Sequence, residues 1–408
     1  MTIQKGGEMG PYRVLYLDMN GYYASITQQM EPNLRGRPVA ITAMEGDYGA
    51  CVAASYEAKA YGIKTGTSVR DARLLCPEIV FRPSRHRLYV RYSLRIADVL
   101  DRHAELYRIR SVDEFQLVLS GSATNLDGAR DLVSRLKRAV ADEVGACLRF
   151  SAGIGPNALL AKTAGKLEKP DGFQWLSSDN MPERLSHLKL DDLPGISTAL
   201  RQRLERAGVR DIPDLWRLDP RHARAIWRSV EGERFVRALQ GDEIPLVSTN
   251  RGGYGNSKVL APEFRSAPAA YLVSKWLVEK AVARLRRDGR VAGSFGFHIS
   301  LRKGSTIGKT IRCAQSQDTA AFLRINRRLW QDAWKDIRGF EIVVIGVYLG
   351  HVGLLRDRNG DLLTPVPPSE RTKGERAAQA VDFINDRFGP GSITYGVRTP
   401  HPGFFERG

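Results

Sequence analysis

Residues 12–20, YRVLYLDMN, form a short apolar run that gives way to Asp18, Met19 and Asn20. Such a run with polar flanks reads as a buried strand, which leaves Asp18 at its end. Two more strands follow, RPVAIT (37–42) and GACVAAS (49–55), and then SYEAKAYG (55–62) starts a helix. Ser55 is its N-cap, because a serine oxygen can accept from an unpaired first-turn N–H. HRLYVRYSLRIADVLDRHA (86–104) is a long helix, and LYRIRSVDEFQLVLSG (106–121) a strand pair turning at 112–114. NLDGARDLVSRLKRAVADEVG (125–145) is amphipathic, and CLRFSAGIG (147–155) is another strand. PNALLAKTAGKLEK (156–169) is a helix that Lys169-Pro170 stops, since a residue before proline disfavours the helical region. Strands alternating with helices to about residue 175 make an α/β or α+β domain.

The texture then changes. LDDLPGISTALRQRLERAGVRDIPDLWRL (190–218) reads as two short helices joined at Ala207-Gly208-Val209, with Leu193-Pro194-Gly195 ahead of the first. This resembles a helix-hairpin-helix, whose glycine turns, Gly195 and Gly208, offer backbone N–H groups to a phosphate without reading bases. An ordinary helical hairpin is the plainer reading. DEIPLVSTNRGGYGNS (242–257) has the polar, glycine-rich composition of a linker. VSKWLVEKAVARLRRDGR (273–290) is an amphipathic helix with Lys275, Arg286, Arg287 and Arg290 off its apolar face. GSFGFHISLRK (293–303), which ends in Arg302 and Lys303, then KTIRC (309–313) and EIVVIGVYL (341–349) are strands. Together they suggest a small α+β module with a basic sheet face. LLTPVPPSERTKGE (362–375) reads as a loop before a last helix, ERAAQAVDFINDRFG (375–389).

A length of 408 residues implies several domains, and 42% hydrophobic with 26% charged residues excludes a disordered or collagen-like chain. Cys51, Cys76, Cys147 and Cys313 form no C-x-x-C pair, which argues against a disulfide framework or a Cys-rich zinc site and fits a reducing, cytoplasmic setting. The start, MTIQKGGEMGPYRV, lacks the apolar stretch of a signal peptide, and no run is long enough to cross a bilayer. The net charge of +17 points to a polyanion, nucleic acid before an anionic membrane surface. Residues 244–350 hold 18 Lys+Arg against 7 Asp+Glu, or +11 of that surplus. A solvated basic surface is the plainer alternative.

Against that basic background stand Asp18 at a strand end and the adjacent pair Asp113 and Glu114 at a turn. Adjacent carboxylates repel unless a cation neutralises them, and hard oxygen donors suit Mg²⁺. Alone, an Asp-Glu turn is more often plain surface.

DMNGYYAS (18–25), ACVAASYEAKAYGIKTG (50–66), SVDEF (111–115) and SAGIGPNALLAKTAGKLEKPDGF (151–173) occur in this order. Together they resemble the Y-family translesion DNA polymerases, of the polymerase IV and polymerase V catalytic-subunit type, over about residues 12–350. The tail, VDFINDRFGPGSITYGV (381–397), resembles the polymerase V-like ends more loosely. The resemblance implies an α+β multidomain right hand: palm at 1–20 and 85–176, fingers at 21–84, a helix-hairpin-helix thumb at 177–243, a linker at 244–252, an α+β little finger at 253–350 and a tail at 351–408. It also implies that Asp18, Asp113 and Glu114, with the Met19 carbonyl, hold two Mg²⁺, for which Mn²⁺ can substitute. Tyr23 becomes the steric gate against a ribose 2′-OH. Gly21 and Tyr22 amides, Tyr56, Lys59 and Lys169 face the dNTP triphosphate. Gly195, Gly208, Arg286, Arg287, Arg302 and Lys303 face the primer-template DNA.

Some positions depart from the family pattern. Asn20 stands where many members have Asp, Lys59 where arginine is usual, Ala53 where a hydroxyl is common, and Ala158 where lysine is frequent. Lys59 keeps a charge and loses the bidentate fork. No departure removes a metal ligand, so the implied activity is low-fidelity templated DNA synthesis in translesion repair, as part of an SOS-type damage response. The expected protein is a monomer with no membrane partner. NGDLL (359–363) lacks the glutamine and aromatic of a sliding-clamp peptide and so gives no convincing clamp motif. Two rivals stay open: a non-catalytic polymerase-like DNA-binding scaffold, suggested by Lys59, Ala53 and Ala158, and a membrane-surface protein, suggested by charge alone.

Overall fold

The structure, a computed structural model, describes residues 11–43, 46–47, 49–245, 251–358 and 368–399. The chain forms two compact units, one within Met1–Leu246 and one within Val247–Phe404. No described helix is long and apolar enough to cross a membrane.

The first unit begins with β1 (Val14–Met19), α1 (Tyr22–Met30), β2 (Val39–Thr42), β3 (Cys51–Ala54), α2 (Tyr56–Ala60), α3 (Val69–Leu75), β4 (Val80–Pro83) and α4 (His86–His103). It continues with β5 (Leu106–Ile109), β6 (Glu114–Val118), α5 (Leu126–Glu143), β7 (Phe150–Gly155), α6 (Ala158–Leu167) and β8 (Phe173–Trp175). The apolar run of the opening strand earns its place: β1 is the middle strand of a sheet ordered β5-β6-β1-β7-β8. Its neighbours β6 and β7 both run antiparallel to it.

Successive side chains on a strand face opposite ways, so this sheet has two different faces. Leu15 and Leu17 of β1, Phe115 and Leu117 of β6, and Ala152 and Ile154 of β7 are fully buried in one core with Tyr89, Ile96 and Leu100 of α4 and Leu132, Leu136 and Val140 of α5. Each Leu, Ile, Val or Phe among them contributes about 1.5–3 kcal/mol by burial. The intervening residues, Tyr16, Asp18, Glu114, Gln116, Ser151 and Gly153, share the other face by register. There α6 packs so closely that a Cβ on Gly153 would overlap the Ala161 carbonyl and the Gly165 amide. Asn157 caps α6 by accepting from the Leu160 N–H (3.0 Å), and its amide donates to the Ala238 and Asp242 carbonyls (2.7 and 2.9 Å).

A smaller sheet, β3-β2-β4, carries α1, α2 and α3. Ser55 caps α2 as its sequence suggests, accepting from the Ala58 N–H. Next come α7 (Thr198–Arg206), α8 (Ile212–Arg217), α9 (Pro220–Trp227) and α10 (Val230–Leu239), around a core of Leu193, Ile196, Leu200, Leu204, Ile212 and Leu215. The helical hairpin forms, with one correction. Gly208 (φ +88°) ends α7, and its N–H donates to the Glu205 carbonyl, while that of Val209 donates to Leu204. Asp211 then caps α8 by accepting from the Asp214 N–H (2.7 Å). The amide expected to meet a phosphate at Gly208 is spent, and a carboxylate occupies the next helix start. Gly195 (φ +100°) turns the chain into α7, whose N-cap is Ser197.

The second unit comprises β9 (Tyr254–Val259), α11 (Ala267–Arg287), β10 (Arg290–Leu301), β11 (Thr306–Ser316), α12 (Thr319–Ile337), β12 (Ile342–Leu354) and α13 (Pro368–Phe388). Its antiparallel sheet runs β11-β10-β12-β9. Phe295, Phe297, Ile299, Ile345, Val347 and Leu349 face α11 and α12 and are buried with Val273, Leu277, Leu285, Phe322 and Trp330. The opposite face carries Gly296, His298, Thr310, Arg312, Gly346, Tyr348 and Gly350. It is polar and glycine-rich rather than basic, which corrects the expected basic sheet face. Lys309 pairs in register with Phe297 and so lies on the helix side, where it reaches Asp332 of α12 (3.1 Å). Much of the surplus charge sits on the helices instead.

The last helix starts at Pro368, inside the stretch read as a loop. Proline fits a helix's first turn, where its missing N–H is not needed. The clamp-like residues 359–363, and 246–250 of the linker, lie outside the described residues.

Candidate active site

Asp18, near the end of β1, is the register partner of Glu114 in β6 and of Ser151 in β7. Asp113 directly precedes β6, and its carbonyl accepts from the Met19 N–H (2.9 Å). The fold thus brings all three acidic residues to one end of two adjacent strands. Each has its own partner. Lys169 Nζ lies 2.7 Å from Asp18 Oδ2, and Lys162 Nζ 2.5 Å from Glu114 Oε1. The Tyr16 hydroxyl donates to Glu114 Oε2 (3.0 Å), and the Ser111 hydroxyl to Asp113 Oδ1 (2.5 Å). Burial pushes the Asp113 carboxyl up from its ordinary value, and the charges of Asp18 and Glu114 add to that against the Ser111 hydrogen bond.

Among the described residues, no three Asp, Glu, His or Cys side chains stand together as a ready metal site. The donor set still suits a hard divalent cation. Three carboxylates lie within electrostatic reach of one another, and ammonium groups stand where a cation would neutralise them.

Lys162 and Lys166 lie one turn apart on α6, and Lys169 lies just beyond its end. Burial draws the Lys166 ammonium down, and Lys162 and Lys169 push it further. Lys59 is drawn down the same way, by burial and then by Lys169, while Asp18 opposes the shift. The charges of Lys59, Lys166 and Lys169 thus act on one another and on Asp18, which Lys169 contacts directly. The sequence reading passed over Lys162 and Lys166, although KTAGK places two lysines at the four-residue spacing that puts them on one helix face.

Asn20 acts by position. It is buried, its amide donates to Ser151 Oγ (3.1 Å), and its Oδ1 accepts from the Asp171 N–H (2.8 Å). Asp171 in turn meets Lys137 (3.0 Å) and Arg149 (3.1 Å). These bonds hold the turn that carries Lys169. The Asn20 side chain therefore acts on the Lys169 turn and makes no ion pair of its own.

On the other side of Asp18, Gly21 (φ +56°) turns the chain into α1, and a Cβ there would lie 3.3 Å from the Ala54 carbonyl. Tyr22 is buried and donates from its hydroxyl to the Tyr89 carbonyl (2.8 Å). Tyr23 is half-buried and stacks on Tyr89, with ring centroids 4.1 Å apart and planes within 8°. Tyr56 starts α2 with the Lys59 ammonium over its ring (4.1 Å). Burial and the charge of Asp18 raise the Tyr56 hydroxyl.

The residues expected on DNA fare unevenly. Arg287 is exposed, Arg302 is exposed but paired to Glu341 (2.8 Å), and Lys303 lies over the Phe340 ring (3.6 Å). Arg286 is a correction. Its side chain is 5% exposed and forks onto Asp382 of α13 (2.6 and 2.7 Å), while Nη1 donates to the Gln317 carbonyl and Thr319 (2.7 and 2.8 Å). The tail covers it, so it offers nothing to a phosphate.

Two profiles match the chain: the impB/mucB/samB family at residues 17–166, and that family's C-terminal domain at 251–360. The chain is 30% identical over 383 residues to a DNA polymerase IV of Moorella thermoacetica, covering 92% of this chain and 93% of that protein. It is 31% identical to a DNA polymerase IV of Pelotomaculum thermopropionicum, covering 97% and 98%. Among solved structures it is similar in fold to a Y-family DNA polymerase chimera of Dbh and Dpo4 (TM-score 0.68, 21% identity, 84% of this chain and 99% of that one). It is also similar to an insertion ternary complex of Dbh DNA polymerase (TM-score 0.54, 20% identity, 84% and 99%).

Proposed function

The chain belongs to the impB/mucB/samB family of Y-family translesion DNA polymerases, and on that premise we propose that it extends a primer 3′-OH with dNTPs along damaged templates, at low fidelity. The observation that carries this reading is the set of three carboxylates at adjacent strand ends, faced by Lys59, Lys162, Lys166 and Lys169. A DNA-binding scaffold would need neither. Palm, fingers, thumb and little finger follow the boundaries given above, with the five-stranded sheet as the palm. The chain works as a cytoplasmic monomer on primer-template DNA.

Y-family polymerases depend on divalent metal. Asp18, Asp113, Glu114 and the Met19 carbonyl would hold two Mg²⁺, or Mn²⁺ in their place. When bound, such ions favour the ionised primer 3′-OH and stabilise charge on the leaving pyrophosphate.

The chain's own residues supply the rest. A triphosphate competes for the lysines, so Lys169 and Lys59 exchange carboxylate and ring contacts for phosphate oxygens. That exchange frees Asp18 for a cation in step with nucleotide arrival. Lys162 remains on Glu114 and holds its carboxylate in place. Gly21, without a Cβ, lets the backbone approach the phosphates. Tyr23, held flat by Tyr89, blocks a 2′-OH. Primer extension past an abasic site tests the proposal: extension dependent on Mg²⁺ and all three carboxylates is expected, and DNA binding without any extension would favour the scaffold.

A further inference from the structure

Helices α11 and α12 leave a cleft of about 470 Å³ between them, lined by Pro268, Tyr271, Trp330, Trp334, Arg327 and Gln331. Tyr271 and Trp330 meet edge to face, with centroids 5.5 Å apart. Trp334 is 42% exposed, which is unusual for so large an apolar ring. Trp330 is buried, and its Nε1–H finds no acceptor among the described residues.

The rim is basic. Arg324, Arg327, Arg328 and Lys335 recur at three, four and seven residues along α12 and so share one face. Arg327, Arg328 and Lys335 make no ion pair among the described residues, and Arg324 lies 3.9 Å from Asp318. This cleft opens beside the helices. The polar, glycine-rich sheet face, with His298, Thr310 and Tyr348, is on the opposite side of the same unit. Duplex phosphates lie along a surface and have no apolar group to fill such a cleft.

We propose that this cleft is a docking site for a protein segment that inserts one bulky apolar side chain between Tyr271 and Trp334 and sets flanking carboxylates on Arg327 and Arg328. The match is one of shape and charge. An aromatic-lined pocket takes an apolar anchor, and the arginine row selects acidic neighbours. The site is separate from the carboxylate centre and does not depend on the polymerase reading.

The test pans a displayed library of short random peptides on the full chain, and then measures selected peptides by fluorescence anisotropy. Peptides should converge on an aromatic or large aliphatic residue within Asp/Glu flanks. Trp334→Ala should weaken them at least about tenfold, a loss of about 1.4 kcal/mol. Arg327→Glu should do the same, and both variants should extend primers as the wild type does. No enrichment overturns the proposal. So do peptides that bind Trp334→Ala unchanged, or a fluorescent oligo(dT) that competes with the peptides and loses affinity in Trp334→Ala. That last result would make the cleft a base-stacking site.

Discussion

Tyr23 shows how a single side chain gains a role from its neighbour. Alone it is one aromatic in a polar-flanked stretch; stacked on Tyr89, it becomes a ring whose position is fixed. Tyr23→Ala should raise ribonucleotide incorporation, read as the ratio of dNTP to NTP efficiency, and an unchanged ratio would remove Tyr23 from sugar selection. Lys169 has a different task. A hydrogen bond to a charged group contributes about 1.5–3 kcal/mol. Lys169→Ala should therefore raise the dNTP KM by about tenfold or more, with DNA affinity unchanged. Asn20→Ala should raise the same KM by less, because it only loosens the turn that Asn20 holds. Equal effects on DNA and dNTP binding would contradict both roles. The tasks given to Tyr23 and to the carboxylates and Lys169 are proposals, but that Asp18, Asp113, Glu114 and Lys169 come together was legible in the sequence, because ordered motifs surround them. The work of Asn20 was not, since its partners Ser151 and Asp171 come from distant segments.

At the level of elements, the approach of α6 to β7 decides where the lysines stand. Gly153 is the contact, and a methyl group there would meet the helix backbone. Overpacking of this kind costs about 1–3 kcal/mol. Gly153→Ala should lower the melting temperature and, by displacing Lys162 and Lys166, reduce extension more than DNA binding. A variant as stable and as active as the wild type would show that α6 can shift freely. Strands and helices of the first unit follow their apolar periodicity closely, since each buries a local pattern against a neighbouring sheet or helix. Reading failed where partners are remote or chemistry is local. Gly208 has the right residue type for a phosphate turn, yet its amide closes its own helix. Arg286 lies off the apolar stripe of α11, yet a helix almost a hundred residues later covers it.

The whole chain separates its charges by task. Acidic residues and lysines offset one another at the carboxylate centre, while α11 and α12 together carry much of the surplus of the second unit. The Arg286–Asp382 pair ties the tail to that unit, and removing one partner of a buried pair costs about 3–5 kcal/mol. Arg286→Ala should expose the tail to proteolysis while leaving the salt dependence of DNA binding unchanged. Arg287→Ala should flatten that slope by about 0.9 if it meets one phosphate. The central claim is that three carboxylates at two strand ends make this a DNA polymerase. Its most direct test is Asp113→Ala, measured for primer extension and for primer-template affinity on the same preparation. We predict no extension with Mg²⁺ or Mn²⁺ and an affinity within about threefold of the wild type, because on the proposed reading the lost group would hold a cation rather than DNA. Extension that persists in Asp113→Ala at the wild-type rate would contradict it.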